Sequence, residues 1–149
     1  MQITKIKIIL FSSFYFVLFL SFTTGCQRQT ELRMIEINSH KLRVEISDSQ
    51  AKRAKGLSNR DSMPENNGML FIFDGYQQPY FWMKDMRFPL DIMWLKDQTI
   101  VEITPEVAIP TSTHLIMYQP GIPVNSILEV NAGWVKRNGI LIGDKINIE

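Results

Sequence analysis

The stretch Leu90-Asp91-Ile92-Met93-Trp94-Leu95 is followed, after Lys96-Asp97-Gln98, by Thr99-Ile100-Val101-Glu102-Ile103. Both runs are short and apolar, and the three polar residues between them are typical of a turn. The stretch therefore predicts a β-hairpin in the middle of the chain, with one acid, Asp91, inside an apolar strand.

On either side of this hairpin, six further segments have strand patterns, and two have the pattern of short helices. The strands are predicted at 32–37, 42–46, 69–73, 127–130, 140–142 and 145–148, and the first two should form a hairpin around Asn38-Ser39. The helices are predicted at 51–55, with Ser47 and Gln50 as a capping box and Gly56 as the stop, and at 132–137. Asp74-Gly75 should be a turn, and Pro105 should begin a long connector punctuated by Pro110, Pro120 and Pro123.

Eight short strands with two short helices predict an α+β, mostly β domain. With so few residues, the sheet is expected to curl into a small barrel-like domain.

The N-terminus has the order of a bacterial export signal. Lys5 and Lys7 precede an apolar run at 8–20, and the small residues Thr23-Thr24-Gly25 lead into Cys26, the one cysteine of the chain. The cysteine after small residues resembles the lipobox of bacterial lipoproteins. There the thiol receives a diacylglycerol, whose acyl chains are fatty acids such as palmitate, and cleavage leaves the cysteine as the new N-terminus. A plain signal peptide and an uncleaved anchor are the alternatives.

This interpretation divides the chain into a signal peptide at 1–25, a lipidated cysteine with a short tether at 26–31, and a single β-rich domain at 32–149. The chain has 16 basic and 15 acidic residues. Without Lys5 and Lys7, which are the charged residues of 1–25, 14 basic and 15 acidic residues remain, a net charge of −1. The absence of a basic excess argues against nucleic acid as a partner. Cys26 has no cysteine partner, so internal disulfides and thiolate zinc sites are excluded.

Several motifs resemble the domain-of-unknown-function family 192 (DUF192) over roughly residues 33–148. They are Arg53-Ala54-Lys55-Gly56-Leu57, Gly68-Met69-Leu70-Phe71 with Phe73, Phe81 to Met86 with Pro89-Leu90-Asp91, Leu128-Glu129-Val130, Ala132-Gly133, and Asn138 to Asp144. The resemblance implies a compact barrel-like domain that is often exported in bacteria, and it implies no established activity. Many relatives carry cysteines in the proline-rich connector, where this chain has Thr111-Ser112-Thr113-His114.

The segment around Trp82 and Lys84 is the leading candidate for a ligand site. Its aromatic face could stack on a small polar molecule or a saccharide, while Lys84, Asp91 and Glu129 form hydrogen bonds. Arg53 could bind a carboxylate or phosphate. The structural alternative makes Phe81, Trp82 and Met83 core residues, pairs Lys84 with Asp91 or Glu129, and leaves Arg53 at a helix end.

Two other functions remain open at this point. Asp91 and Glu129 could form the acid–base pair of a hydrolase acting on an envelope polysaccharide, provided that they face each other. Met83, Met86, His114 and Met117 could bind Cu(I), which prefers soft ligands.

The sequence therefore favours a protein of the bacterial cell envelope, anchored by lipid to a membrane and facing the periplasm or the cell exterior. We expect a non-catalytic ligand-binding or scaffold module with no cofactor, no catalytic residues and no metal.

Overall fold

The computed structural model describes residues 31–111 and 116–149. Seven strands and two short helices are assigned within these ranges. They are β1 (Leu32–Ile37), β2 (His40–Ser47), α1 (Gln50–Lys55), β3 (Asn67–Gln77), β4 (Leu90–Lys96), β5 (Thr99–Val107), β6 (Val124–Asn131), α2 (Trp134–Arg137) and β7 (Asn147–Ile148). The prediction of a mostly β domain with two short helices is confirmed. The signal peptide, Cys26 and the first residues of the tether lie outside the described residues.

All seven strands belong to one curled sheet with the order β5-β4-β6-β3-β2-β1-β7. The pairing of β2 with β3 is parallel, and the other pairings are antiparallel. Its two outer edges meet at one end, where the Ile100 N–H donates to Asp144 O at 2.9 Å and the Ile146 N–H donates to Gln98 O at 2.8 Å. The sheet is thus a curled half-barrel, in which the start of β5 is joined to the segment before β7.

Alternation along the strands divides the buried apolar side chains between the two faces of the sheet, because successive strand residues point to opposite faces. The inner core, on one face, comprises Ile35, Ile37, Leu42, Val44, Ile46, Leu70, Met93, Leu95, Ile100, Leu128, Val130, Trp134, Val135, Ile140 and Ile146. The outer cluster, on the other face, comprises Leu57, Met63, Met69, Phe71, Met83, Met86, Phe88, Leu90, Ile92, Trp94, Val107, Val124 and Ile127.

Part of the cover over the outer face of the sheet comes from the connection between β2 and β3, which are parallel. Parallel neighbours need a crossover, and here it consists of α1 and the loop at 56–66. Leu57 and Met63 of this loop, together with Met83, Met86 and Phe88 of the segment before β4, cover the outer face of the sheet.

Several predictions of local structure were wrong. Helix α1 is capped by Ser49, whose hydroxyl accepts from the Lys52 N–H at 3.3 Å, and Ser47 is the buried last residue of β2. Asp74-Gly75 lies within β3, where the pairing with β6 shifts between Ile72 and Gln77. Residues 140–142 form no strand; Leu141 and Ile142 are exposed.

Pro105 also lies within a strand, contrary to the prediction that it begins the connector. In β5, Pro105 and Glu106 stand opposite the single residue Asp91 of β4, because the register passes from Leu90↔Val107 to Ile92↔Thr104. A β-bulge tolerates proline, since one residue of the pair is left out of the ladder.

Within the described residues, none of the helices is long and apolar enough to cross a membrane.

Candidate functional site

A pocket of about 260 Å³ opens on the outer face, between α1, the middle of β3 and the segment 79–86. Five aromatic side chains line it: Phe71, Phe73, Tyr80, Phe81 and Trp82. Drug-sized ligands occupy pockets of about 300–1,000 Å³. This pocket is therefore suited to a smaller molecule, and its wall is mainly apolar.

Phe81 holds the aromatic wall in place. Its ring packs edge-to-face on Phe71, with centroids 5.0 Å apart, and on Trp94, with centroids 5.8 Å apart. Its backbone forms a two-way bridge with Tyr118, with both hydrogen bonds at 2.8 Å. Aromatic pairs of this geometry add about 0.5–1.5 kcal/mol beyond their area burial. The wall is thus fixed without a ligand.

Two hydrogen bonds tie the loop after α1 to the segment 79–86. The Ser58 hydroxyl donates to Lys84 O at 3.0 Å, and the Asn59 N–H donates to Asp85 O at 2.8 Å. These contacts connect two sides of the pocket that are 26 residues apart in sequence. The pocket is therefore preformed and does not depend on a single loop.

Arg53 lies at the pocket rim, in the last turn of α1. Its Nη1 donates to Asp48 O and Ile72 O, each at 2.8 Å, and its guanidinium lies 5.3 Å from the centroid of the Phe73 ring. Arg53 thus joins α1 to β3 and fixes Phe73 in the wall. Both backbone contacts use the same nitrogen, Nη1.

Glu129 is the buried acid of the pocket. It lies on β6 opposite Ile92 of β4 and Met69 of β3, so its side chain points to the outer face with theirs. Only 6% of it is exposed. Burial raises the pKa of this carboxyl from 4.5 to about 8. Among the described residues, no side chain forms a hydrogen bond with it.

Gly68 allows β3 to approach the backbone of Glu129 closely. A Cβ atom at this position would lie 2.7 Å from the Glu129 carbonyl oxygen, nearer than real Cβ contacts. Close packing against the backbone of the buried acid therefore explains why glycine stands first in the Gly68-Met69-Leu70-Phe71 motif.

The surroundings of Asp91 differ from those of Glu129. It is fully buried and stands opposite Val130, on the face of the inner core. Its carboxylate accepts three backbone N–H groups, from Glu106 at 2.8 Å, Gly133 at 3.1 Å and Val135 at 2.9 Å. Asp91 therefore joins the β5 bulge to the start of α2.

The alternative hypothesis that Asp91 and Glu129 form an acid–base pair required the two acids to face each other, and it was wrong. The two acids are on neighbouring strands but one residue out of phase, so they point to opposite faces of the sheet. A hydrolase mechanism that uses this pair is excluded, since it needs both carboxyl groups on one substrate.

Lys84 forms no ion pair with either acid within the described residues, so the structural alternative for Lys84 was wrong as well. Its side chain is exposed and does not line the pocket. Trp82 lines the pocket with 49% of its surface exposed, Met83 is buried, and Phe81 is half-buried. Of the five candidate ligand-binding residues, the fold brings together Arg53, Trp82 and Glu129, and it leaves out Lys84 and Asp91.

The copper proposal finds little support in the described ranges. Met83 and Met86 are buried in the outer cluster, whereas Met117 is 46% exposed, and His114 lies outside the described residues. Where the structure describes the chain, no group of three or more His, Cys, Asp or Glu side chains could hold a metal ion.

Sequence reasoning missed most of the pocket wall. Leu57, Phe71, Phe73 and Tyr80 line the pocket, and the sequence analysis gave none of them a role at a site. The motifs that resemble the DUF192 family contained a signal for this pocket. The segments 53–57, 68–73, 81–86 and 128–130, which carry the family resemblance, all contribute residues to this one pocket.

Comparisons with known proteins confirm the resemblance. The model of family DUF192, described as "Uncharacterized ACR", matches residues 33–148. A solved structure of a candidate transcription regulator from Sinorhizobium meliloti 1021 is 34% identical, with a TM-score of 0.72, and covers 80% of this chain and 95% of that chain. A protein of unknown function from Novosphingobium aromaticivorans DSM 12444 is 27% identical, with a TM-score of 0.70, and covers 79% and 84% respectively. None of the curated proteins matches this chain.

Proposed function

Because the chain belongs to the DUF192 family, whose description assigns no activity, we propose its function from the pocket: it is a non-catalytic module that binds a small organic molecule between Arg53, Trp82 and Glu129. The observation that carries this proposal is the preformed aromatic wall around one buried carboxyl. Convergent polar groups in a mainly apolar pocket are the usual form of a ligand site.

The lining favours a compact, mainly apolar molecule over a saccharide. A sugar needs a hydrogen-bonding partner for most of its hydroxyl groups, and Lys84 and Asp91, which were expected to supply two, lie elsewhere. The described lining contains one carboxyl group and no histidine or cysteine. Binding without chemistry is the function that these groups support.

Trp82 provides the test of this function. We expect Trp82→Ala to weaken binding of small aromatic compounds about tenfold, since stacking on an aromatic side chain contributes about 0.5–1.5 kcal/mol and contact area is lost in addition. Because Trp82 is half exposed, the free energy of unfolding should change little. Ligand-observed NMR on the purified full chain, with indole and benzyl alcohol as probes, measures both affinities.

Tyr76→Ala is the matched control, because Tyr76 is an equally exposed aromatic residue (55%) outside the pocket. It should bind both probes like the wild type. Wild-type protein that binds neither probe, or equal binding by Trp82→Ala and the wild type, would refute the pocket as a ligand site.

We propose further that the module is exported and held at a membrane of the cell envelope by acyl chains on Cys26. The order of Lys5, Lys7, the apolar run and the small residues before Cys26 supports this localisation. The chain after residue 25 has a net charge of −1, so it has no basic excess to attract an anionic membrane, and the lipid would provide the attachment. Stable anchoring takes two signals, such as dual acylation.

The intact mass of the purified protein tests the anchor. We expect a chain that begins at Cys26 and carries acyl chains, and we expect Cys26→Ser to retain residues 1–25 without added lipid. An unmodified wild-type chain, whatever its first residue, would contradict lipid anchoring.

A further inference from the structure

We infer that the pocket selects small organic ammonium ions, with the cationic nitrogen against the Glu129 carboxylate and the organic part against Phe71, Phe81 and Met83. This inference rests on the proposed function, because it names the ligand class of the same pocket.

The first reason is the isolation of Glu129. The side chain is 94% buried, it lines the pocket, and no described side chain donates a hydrogen bond to it. A carboxyl that is largely removed from water is costly to ionise unless a positive charge pairs with it. An occupant that brings a positive charge would pair with the ionised acid, whereas an apolar occupant would leave it without a partner.

The second reason is the aromatic wall. A ring face attracts a cation within about 6 Å of its centroid, and the attraction grows when water is excluded. The pocket already shows this chemistry, since the guanidinium of Arg53 lies 5.3 Å from the Phe73 centroid. Phe71, Phe81 and Trp82 remain for a ligand. Rings beside an acid recognise ammonium groups, because both attract the same charge.

The other charged and titratable groups around the pocket are few. Arg53 and Lys55 come from α1, and Tyr80 comes from the segment 79–86. The lining residues of β3 and β4 (Phe71, Phe73 and Leu90) are apolar. Burial is the cause of the raised pKa of Glu129. Lys55 is exposed and Arg53 is half-buried at the rim, where water and salt screen both cations.

Ammonium binding should therefore release a proton. At neutral pH the carboxyl, with a pKa of about 8, is mainly protonated, and pairing with a cation favours its ionised form. The carboxyl O–H bond breaks, the proton passes to buffer, and the carboxylate pairs with the ammonium. Affinity should rise between about pH 6 and pH 8, as the cost of ionisation falls.

Three probes of one shape test the inference. Benzylammonium, benzyl alcohol and benzoate differ at the polar end by charge, and their binding to the full chain in mild non-ionic detergent can be compared by NMR and calorimetry. We expect benzylammonium to bind about tenfold or more tightly than either of the others and to release a proton. Glu129→Gln should remove the preference and the proton release, and its thermal transition should be no lower than that of the wild type, because the amide has the shape of the neutral acid and carries no cost of ionisation.

The outcomes separate the two proposals. Equal or tighter binding of benzyl alcohol or benzoate would overturn the ammonium inference and leave the pocket as a ligand site. An ammonium preference that survives in Glu129→Gln would overturn it too, because another group would then bind the cation. Absence of binding by all three probes would overturn both proposals. Tyr76→Ala, with its unchanged pocket, controls for partition of the probes into detergent.

Discussion

We expect Glu129→Gln to abolish most of the loss of stability that the wild-type protein shows as the pH rises from about 5 to about 8. The pKa of Glu129 is about 8 in the folded protein and near 4.5 when the chain unfolds. Between these values the folded state holds a proton that the unfolded state has released. The free energy of unfolding therefore falls as the pH increases through this window. Above the folded-state pKa, the full free-energy cost of ionising the buried carboxyl lowers the free energy of unfolding.

The size of this effect has an upper limit of about 5 kcal/mol, since each pKa unit corresponds to about 1.36 kcal/mol. Water entry into the pocket would reduce it. Urea unfolding at several pH values measures the slope for both proteins. Glu36→Gln is the control, because Glu36 is a half-buried acid on β1 that lies outside the pocket. A wild-type profile that Glu129→Gln leaves unchanged would show that the acid is ionised when folded.

We expect Asp91→Ala to destabilise the domain by about 4 kcal/mol, because a buried donor that loses its partner costs about 1–3 kcal/mol and three donors are affected. The carboxylate accepts from Glu106, Gly133 and Val135 on two elements. Removal should release both the β5 bulge and the start of α2. Chemical denaturation measures the change.

Asp91→Asn should lie between the wild type and Asp91→Ala, since its amide keeps one acceptor oxygen and turns an N–H group toward a backbone donor. Asp74→Ala, at an exposed position on β3, should change the free energy of unfolding by less than about 0.5 kcal/mol. If Asp91→Ala were as stable as Asp74→Ala, this result would contradict the structural role of Asp91. A chemical role for Asp91 would then have to be considered again.

The local sequence pattern was sufficient to predict the strands that pair with the next strand along the chain. The hairpins β1–β2 and β4–β5 were predicted because polar turns separate two apolar runs, and the structure has both. The end of α1 at Gly56 was predicted for a similar reason, since its φ of 48° suits glycine. The signals needed for these features lie within a few residues of each other.

Features that depend on distant partners were not predictable in this way. Pro105 fits inside β5 because Asp91 provides an acceptor for the bulge residue Glu106, 15 positions away. Likewise, the relation of Asp91 to Glu129 depends on the register of β4 against β6, which are separated in sequence by β5 and the connector. A shift of one residue would have placed both acids on the same face.

The same distinction between local pattern and distant partners applies to the residues of the candidate site. Arg53, Trp82 and Glu129 were selected for their residue type and context, and helix α1, the segment 79–86 and strand β6 bring them together at one pocket. Lys84 was selected on the same grounds, but its neighbours Met83 and Met86 take the buried positions and leave Lys84 on the outside. The direction of each side chain in an irregular segment follows from packing, which sequence pattern does not specify.

Titration of the Glu129 side-chain carboxyl by carbon-13 NMR, in the full chain with and without benzylammonium, tests the central claim most directly. We expect a midpoint near pH 8 without the probe and a lower midpoint with it, because burial favours the neutral acid and a bound cation favours the carboxylate. A midpoint near 4.5 in the absence of the probe would mean that water or another group already satisfies the carboxylate, and the pocket would lose the feature on which its ligand class rests.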